Sequence, residues 1–103
     1  MSIEALVCVH TMPEQGVTLN PHDRLVLYAL ADVADVDGIM ACSQEHIIRW
    51  SGLSPENITT CLARLERRGV LIHVPDYNPY EGWAERRGAG ATKPYRFGAE
   101  VMP

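Results

Sequence analysis

The chain has few cysteines and no long apolar run, and each shortage excludes a class of protein. Its three cysteines, Cys8, Cys42 and Cys61, cannot all pair within one chain and show no CxxC spacing, which is typical of reduced intracellular thiols. No apolar run approaches the roughly 18 residues that a membrane span needs, and the N-terminus lacks the pattern of a secretion signal. The sequence therefore predicts a cytoplasmic protein whose 103 residues form one domain, residues 1–103.

Basic side chains are also scarce. Nine lysines and arginines stand against 13 acidic residues, and the net charge of −4 is not the basic footprint of a dedicated nucleic-acid binder. The charge is unevenly spread, however. Residues 1–62 hold two basic side chains against eight acidic ones, whereas residues 63–103 hold seven against five. Positive potential is therefore expected only from Arg64 onward, so total charge does not exclude DNA binding.

No pattern of catalytic or metal-binding residues stands out. The histidines are scattered, without a cysteine at metal-ligand spacing: His10, His22, His46 and His73. The glycine-rich GAGAT segment is not followed by a helix start, which favours a flexible loop over a phosphate cradle. Asp35 and Asp37 lie in a predicted turn and are expected on the solvated surface. The sequence thus predicts neither an enzyme nor a protein with a metal or cofactor.

The first half of the chain predicts two helices separated by a loop over residues 12–18. Apolar residues at helical spacing after Ser2 favour a short helix, although the β-rich run over residues 6–9 keeps a strand open as the alternative: Ile3, Leu6 and Val7, with His10. The second helix is the clearer one. Asn20 can cap it, Pro21 suits its first position, and Asp23 in the first turn suits the helix dipole.

Residues 43–69 predict a helix-turn-helix. Ser43 can cap a first helix, and Gly52 stands where a left-handed residue ends one. Ser54 followed by Pro55 is a helix start signal, and the second helix is expected to run to residue 68. One face of this helix is apolar: Ile58, Cys61, Leu62 and Leu65. The opposite face is expected to point outward and is mostly polar: Glu56, Thr60, Ala63, Arg64 and Arg67.

Residues 70–98 predict a hairpin, called the wing. Residues 70–74 and 93–98 read as its strands, and a run over residues 39–42 could add an edge strand. The link between the strands carries basic side chains beside aromatic ones: Arg86, Arg87, Lys93, Tyr77, Tyr80 and Trp83. Trp83 is expected to be exposed or to hold the wing against the body, and Trp50 to lie in the core or half-buried against the wing.

Taken together, residues 2–97 resemble the N-terminal helix-turn-helix domain of phage and plasmid replication-type proteins and related prophage regulators. The matching stretches are MSIEAL, LNPHDRLVLYALADVADVDG, SQEHIIRWSGLSPENITTCLARLERRGVLI and PYRF. This resemblance implies a mainly α winged helix-turn-helix, with about four helices and a wing sheet of two to three strands. It also implies DNA binding through residues 55–68 and the wing.

The second helix departs from that family's pattern at its opening. Positions that usually carry arginine or lysine hold Glu56, Asn57 and Cys61 here. Missing cations weaken phosphate neutralisation, which supplies most non-specific affinity. Glu56 could instead accept from a cytosine amino group and Asn57 could pair with adenine, while the simplest alternative is that Glu56 only stabilises a helix N-terminus.

Two functions follow from the sequence. The first is a DNA-binding transcriptional regulator or replication accessory factor of a phage or other mobile element. The second is a phage-borne protein-binding domain that inhibits a host protein complex, such as a CRISPR-Cas defence system or a polymerase. A homodimer is compatible with either function. The residues expected to bind DNA or a partner are Glu56, Asn57, Thr60, Arg64, Arg67, Trp83, Arg86, Arg87 and Lys93.

Overall fold

Helices form most of the computed structural model, which describes residues 3–75 and 94–98. Their bounds are Ile3–Thr11 (α1), Pro21–Asp32 (α2), Gln44–Ser51 (α3) and Pro55–Arg67 (α4), and a 3₁₀-helix, Met12–Gln15, follows α1. Two short strands, Leu71–His73 (β1) and Tyr95–Phe97 (β2), pair antiparallel. The predicted class, mainly α with a small β element, is confirmed at this level. Within the described ranges, no helix has the length and apolar character needed to cross a membrane.

Helices α2, α3 and α4 begin where local capping signals predict them. The Asn20 side chain accepts the N–H of Asp23 at 2.8 Å, Ser43 accepts the N–H of His46, and Ser54 accepts the N–H of Asn57. These side chains satisfy N–H groups that have no partner within their own helix. The predicted starts of α2, α3 and α4 are therefore confirmed.

The turn between α3 and α4 depends on Gly52. This residue has φ 71° and its N–H donates to the carbonyl of Ile48 at 2.8 Å. A left-handed backbone is favourable for glycine and strained for residues with a Cβ. Leu53 follows and packs partly buried against the core. The chain can therefore leave α3 and start α4 within three residues, as the sequence predicted.

The core lies where α2 meets the other three helices, and the strands join it through α4. Helix α2 contacts α1, α3 and α4, while α4 also contacts β1. The inward positions of three helices and the closing hairpin are expected to form the core, and all but one of them are buried: Val26, Leu30, Ile47, Ile58, Leu62, Leu65, Leu71 and Phe97. Val33 is the exception, because it is only partly buried at the end of α2. The predicted apolar face of α4 is confirmed.

Helix α1 is confirmed, but the residues whose spacing suggested it do not form its buried face. Ala5, Cys8 and Val9 are buried, whereas Ile3 is 74% and Val7 47% exposed. The buried face is therefore offset from the predicted one, and of the predicted apolar residues Leu6 packs partly buried against the core. The predicted loop that follows contains the 3₁₀-helix, whose Met12 is completely buried.

The strands are shorter than predicted and form a sheet centred on β2. Leu71 pairs with Phe97 and His73 with Tyr95. On the other side of β2, Met40 exchanges two backbone hydrogen bonds with Tyr95, at 2.7 and 2.9 Å. The predicted edge strand is thus reduced to one bridging residue among those described. Tyr95 and Phe97 are buried and Arg96 is exposed, as their alternation predicted.

Candidate nucleic-acid interface

The outer face of α4 is the best-defined candidate surface of the described chain. Five of its side chains are exposed: Glu56, Asn57, Thr60, Ala63 and Arg67. The opposite side of the helix is buried through Ile58, Cys61, Leu62 and Leu65. A helix anchored along one side and open along the other can present its free side to a partner without rearranging the core. The outer face carries one acidic and one basic side chain, so it has no net charge.

The hydroxyl groups on this helix are already engaged. Thr59 Oγ1 donates to the carbonyl of Pro55 at 3.0 Å, and Thr60 Oγ1 donates to the carbonyl of Glu56 at 2.9 Å. A hydroxyl that donates to the preceding turn offers a partner only its lone pairs. Glu56 and Asn57 are therefore the exposed polar groups of the first turn best able to make directed hydrogen bonds.

Arg64 does not share the outward orientation that the sequence predicted for it. Its Nη2 donates to Oδ1 of Asp23 at 2.6 Å, and the hydrogen bond raises the pKa of the Arg64 guanidinium. The same nitrogen lies 3.5 Å from Sγ of Cys61. Burial and the hydrogen bond with Asp23 raise the pKa of the Cys61 thiol, which keeps it protonated. The cation therefore faces the interface between α2 and α4.

Asp23 lies in the first turn of α2, as predicted, but sequence reasoning missed its ion pair with α4. The residue was expected to act through the helix dipole, and it is buried, with 1% of its surface exposed. A signal was present in the sequence, because Asp23 lies three and seven residues before Val26 and Leu30 and so shares their inner face. A carboxylate at such a position requires a partner of opposite charge.

Helix α3 presents a second exposed group next to α4. Trp50 is 48% exposed, and its ring lies against His46 with centroids 6.2 Å apart. His46 Nε2 lies 3.1 Å from the carbonyl of Ala29 and 3.5 Å from a carboxylate oxygen of Asp32. Among the described residues, the ring contact of Trp50 is with His46, and the wing residues between the strands, against which Trp50 was expected to pack, lie outside the described ranges. The ion pair between Arg49 and Glu45 is almost fully solvated.

The base of the wing is linked to α4 through Tyr95. Burial and a hydrogen bond with Glu66 raise the pKa of the Tyr95 phenol to about 12. The His73 ring lies beside it, with centroids 6.4 Å apart. The position of β2 is therefore coupled to the last turns of α4. The predicted wing contacts Trp83, Arg86, Arg87 and Lys93 lie outside the described residues.

Comparisons with known proteins add no relative, since the chain matches no family model, no curated protein and no solved structure. The three cysteines all lie within the described ranges, are buried and form no disulfide. In the same part of the chain, no group of three or more His, Cys, Asp or Glu side chains could hold a metal ion. The function must be inferred from the α4 surface and its neighbours.

Proposed function

We propose that this chain is a winged helix-turn-helix protein that binds double-stranded DNA, with the outer face of α4 in the major groove and the wing beside it. The observation that carries the proposal is the capped, one-sided α4, whose outer side is open from Glu56 to Arg67. The major groove, about 12 Å wide, admits such a helix. In proteins of this class, the second helix of the pair supplies the base contacts.

Each group on the proposed reading face has a defined use. Asn57 can form two hydrogen bonds with adenine, and Glu56 can accept from the amino group of cytosine. Thr60 directs its hydroxyl proton to the helix backbone, so its methyl group is available to the methyl group of thymine. Arg67 supplies a phosphate contact at the end of the face, and Arg86, Arg87 and Lys93 supply further ones from the wing.

The resemblance to replication-type domains and prophage regulators supports the same reading. On this proposal the protein acts in the cytoplasm, as a transcriptional regulator or replication accessory factor of a phage or mobile element. Its low cation content implies modest non-specific affinity and a larger share of discrimination by base contacts.

Binding to a host protein complex is the second candidate, and one arrangement favours it. The α4 outer face has no net charge, since the described Arg64 cation is paired with Asp23. On the neighbouring helix α3, Trp50 is half exposed, and tryptophan is enriched in the energetic centres of protein interfaces. An inhibitor of a host defence complex or polymerase would use this surface without entering a groove.

The test is a fluorescence-anisotropy titration of a labelled random-sequence duplex at low salt, with wild type, Glu56→Gln and Glu14→Gln. Glu56→Gln should bind about five-fold more tightly, because removing a charge about 4 Å from a phosphate in water relieves roughly 1 kcal/mol of repulsion. Glu14 is exposed on the 3₁₀-helix and outside the proposed interface, so its variant should match wild type. Equal affinities for all three proteins, or no binding by wild type, would contradict the proposal.

A further inference from the structure

Asp23 and Arg64 form an ion pair between α2 and α4, 41 residues apart in sequence. The carboxylate is almost entirely buried, with its side chain 2% exposed, whereas the arginine side chain is 37% exposed. Arg64 Nε is buried and has no hydrogen-bond acceptor among the described residues. The guanidinium thus turns one edge inward to Asp23, although Arg64 lies on the helix proposed to enter the groove.

The neighbouring Arg67 provides the contrast. It lies one turn further along α4, and its side chain is exposed. If Arg64 moved to a DNA phosphate, Asp23 would remain in the core as a charge without its partner. Leaving a buried carboxylate unpaired is strongly unfavourable, so the phosphate would have to replace a short hydrogen bond that already exists. Arg67 can reach a phosphate without any such loss.

We infer that Arg64 is a positioning residue which orients α4, and that Asp23 is the internal counter-ion which withholds its charge from DNA. The inference rests on the proposed function, since it assigns roles within the same DNA-binding surface. It removes Arg64 from the residues expected to bind DNA, while Arg67 remains among them. The ion pair also joins α4 to α2, which fixes the direction in which the outer face of α4 points.

The test measures how duplex affinity depends on salt, using a labelled random-sequence duplex from about 50 to 200 mM salt. Each phosphate contact contributes about 0.9 to the slope of log K against log salt, or roughly a 3.5-fold change across that range. The double variant Asp23→Asn/Arg64→Gln removes both charges, so neither side is left as an unpaired charge. Its affinity should fall by the same factor at every salt concentration, so the slope should equal that of wild type. Arg67→Gln should instead reduce the magnitude of the slope by about 0.9.

Two single variants separate positioning from general structural support. Asp23→Asn keeps the size of the side chain but cancels the counter-ion, so the slope should steepen by about 0.9 as Arg64 becomes available to phosphate. Arg64→Lys keeps a positive charge beside Asp23, so this variant should retain the wild-type slope and most of the wild-type affinity. Circular dichroism and thermal melting of each variant establish that the proteins compared are folded.

The outcomes are distinguishable. A double variant whose slope falls by about 0.9 shows that Arg64 is itself a phosphate contact and overturns the inference. An unchanged slope in Asp23→Asn also overturns it, because Asp23 would then withhold nothing. A wild type that binds no duplex overturns the proposed function, and this inference with it. A binding wild type with the expected pattern supports both.

Discussion

At the scale of single residues, Tyr95 connects the strands to α4 and gives the protein a pH dependence in alkali. Its phenol has a pKa raised to about 12, mainly by burial and secondarily by Glu66, against about 10 for an unfolded chain. Above pH 10 the unfolded chain loses this proton more readily than the folded protein. The contribution of Tyr95 to stability is therefore complete below about pH 10 and is lost as the pH rises toward 12.

We expect Tyr95→Phe to remove this dependence. Urea unfolding of wild type and variant should be compared at several values between about pH 9 and 12. The free energy of unfolding of wild type should fall more steeply over this interval than that of the variant. The difference in tyrosine absorbance between wild type and variant reports the ionisation of the Tyr95 phenol, which should occur near pH 12. Parallel stability curves, or a phenol that titrates near pH 10, would contradict the assignment.

Residues whose roles are local could be predicted from the sequence, and residues whose roles depend on distant partners could not. Asn20, Ser43 and Ser54 act on N–H groups three residues away, so the sequence alone locates them. Asp23 satisfies the same local rule for a helix N-terminus, and the dipole interpretation therefore looked sufficient. Its partner, Arg64, is 41 residues away, and only the packing of α2 on α4 brings the two together.

At the scale of elements, the start of α4 fixes where the candidate interface begins. Ser54 Oγ accepts the N–H of Asn57 at 3.3 Å, and Pro55 occupies the first helical position. Ser54→Ala should lower the free energy of unfolding by about 1 kcal/mol, because an N–H group loses its partner. Ser54→Gly should cost only a few tenths of a kcal/mol, since glycine leaves room for water to solvate that group.

Urea unfolding monitored by circular dichroism measures both changes, with Thr18→Ala, at an exposed residue outside the helix-turn-helix, as a control. No loss of stability in Ser54→Ala would indicate that the hydroxyl contributes nothing to the cap. The same comparison bears on function, since fraying of the first turn would displace Asn57. A loss of duplex affinity larger than the loss of stability would show that this turn lies at the interface.

Helix α1 shows where periodicity fails at the element scale. Its apolar side chains Ile3 and Val7 follow helical spacing and yet are exposed. The buried positions are Ala5, Cys8 and Val9, and α1 packs against α2. A hydrophobic pattern identifies a helix, but which face becomes buried depends on the shape of the neighbouring element. In α4 the same approach identified the apolar face, but it also placed Arg64 on the outer side, although the guanidinium turns toward Asp23.

At the scale of the whole molecule, charge is distributed so that an acidic body precedes a more basic C-terminal part. The net charge is −4, so long-range attraction to DNA is weak and any affinity depends on the few cations at the contact surface. Two residues of that surface, Glu56 and Asn57, are not cations. This arrangement makes the outer face of α4 the place where a small change in charge has the largest expected effect.

Replacing both residues with arginine tests the two proposed functions together. Glu56→Arg/Asn57→Arg should increase the duplex salt slope by up to about 1.8, since each new phosphate contact adds about 0.9. The fold should survive, because both side chains are exposed and the Ser54 cap uses the Asn57 backbone. Losing Glu56 from the first turn should cost about 0.3–1 kcal/mol through the helix dipole. A matched control, Glu45→Arg, places one new cation on the exposed side of α3.

The two functions differ in what the double variant loses. A DNA reader should gain affinity for random-sequence duplex while its preference for a duplex selected from a random pool by wild type declines, because Asn57 and Glu56 no longer read bases. A protein that binds a host complex should gain the same duplex affinity without any wild-type preference to lose, since no sequence would have been selected. If the double variant gains no duplex affinity beyond that of Glu45→Arg, the outer face of α4 does not lie against DNA. The proposal of a groove-reading helix would then be wrong.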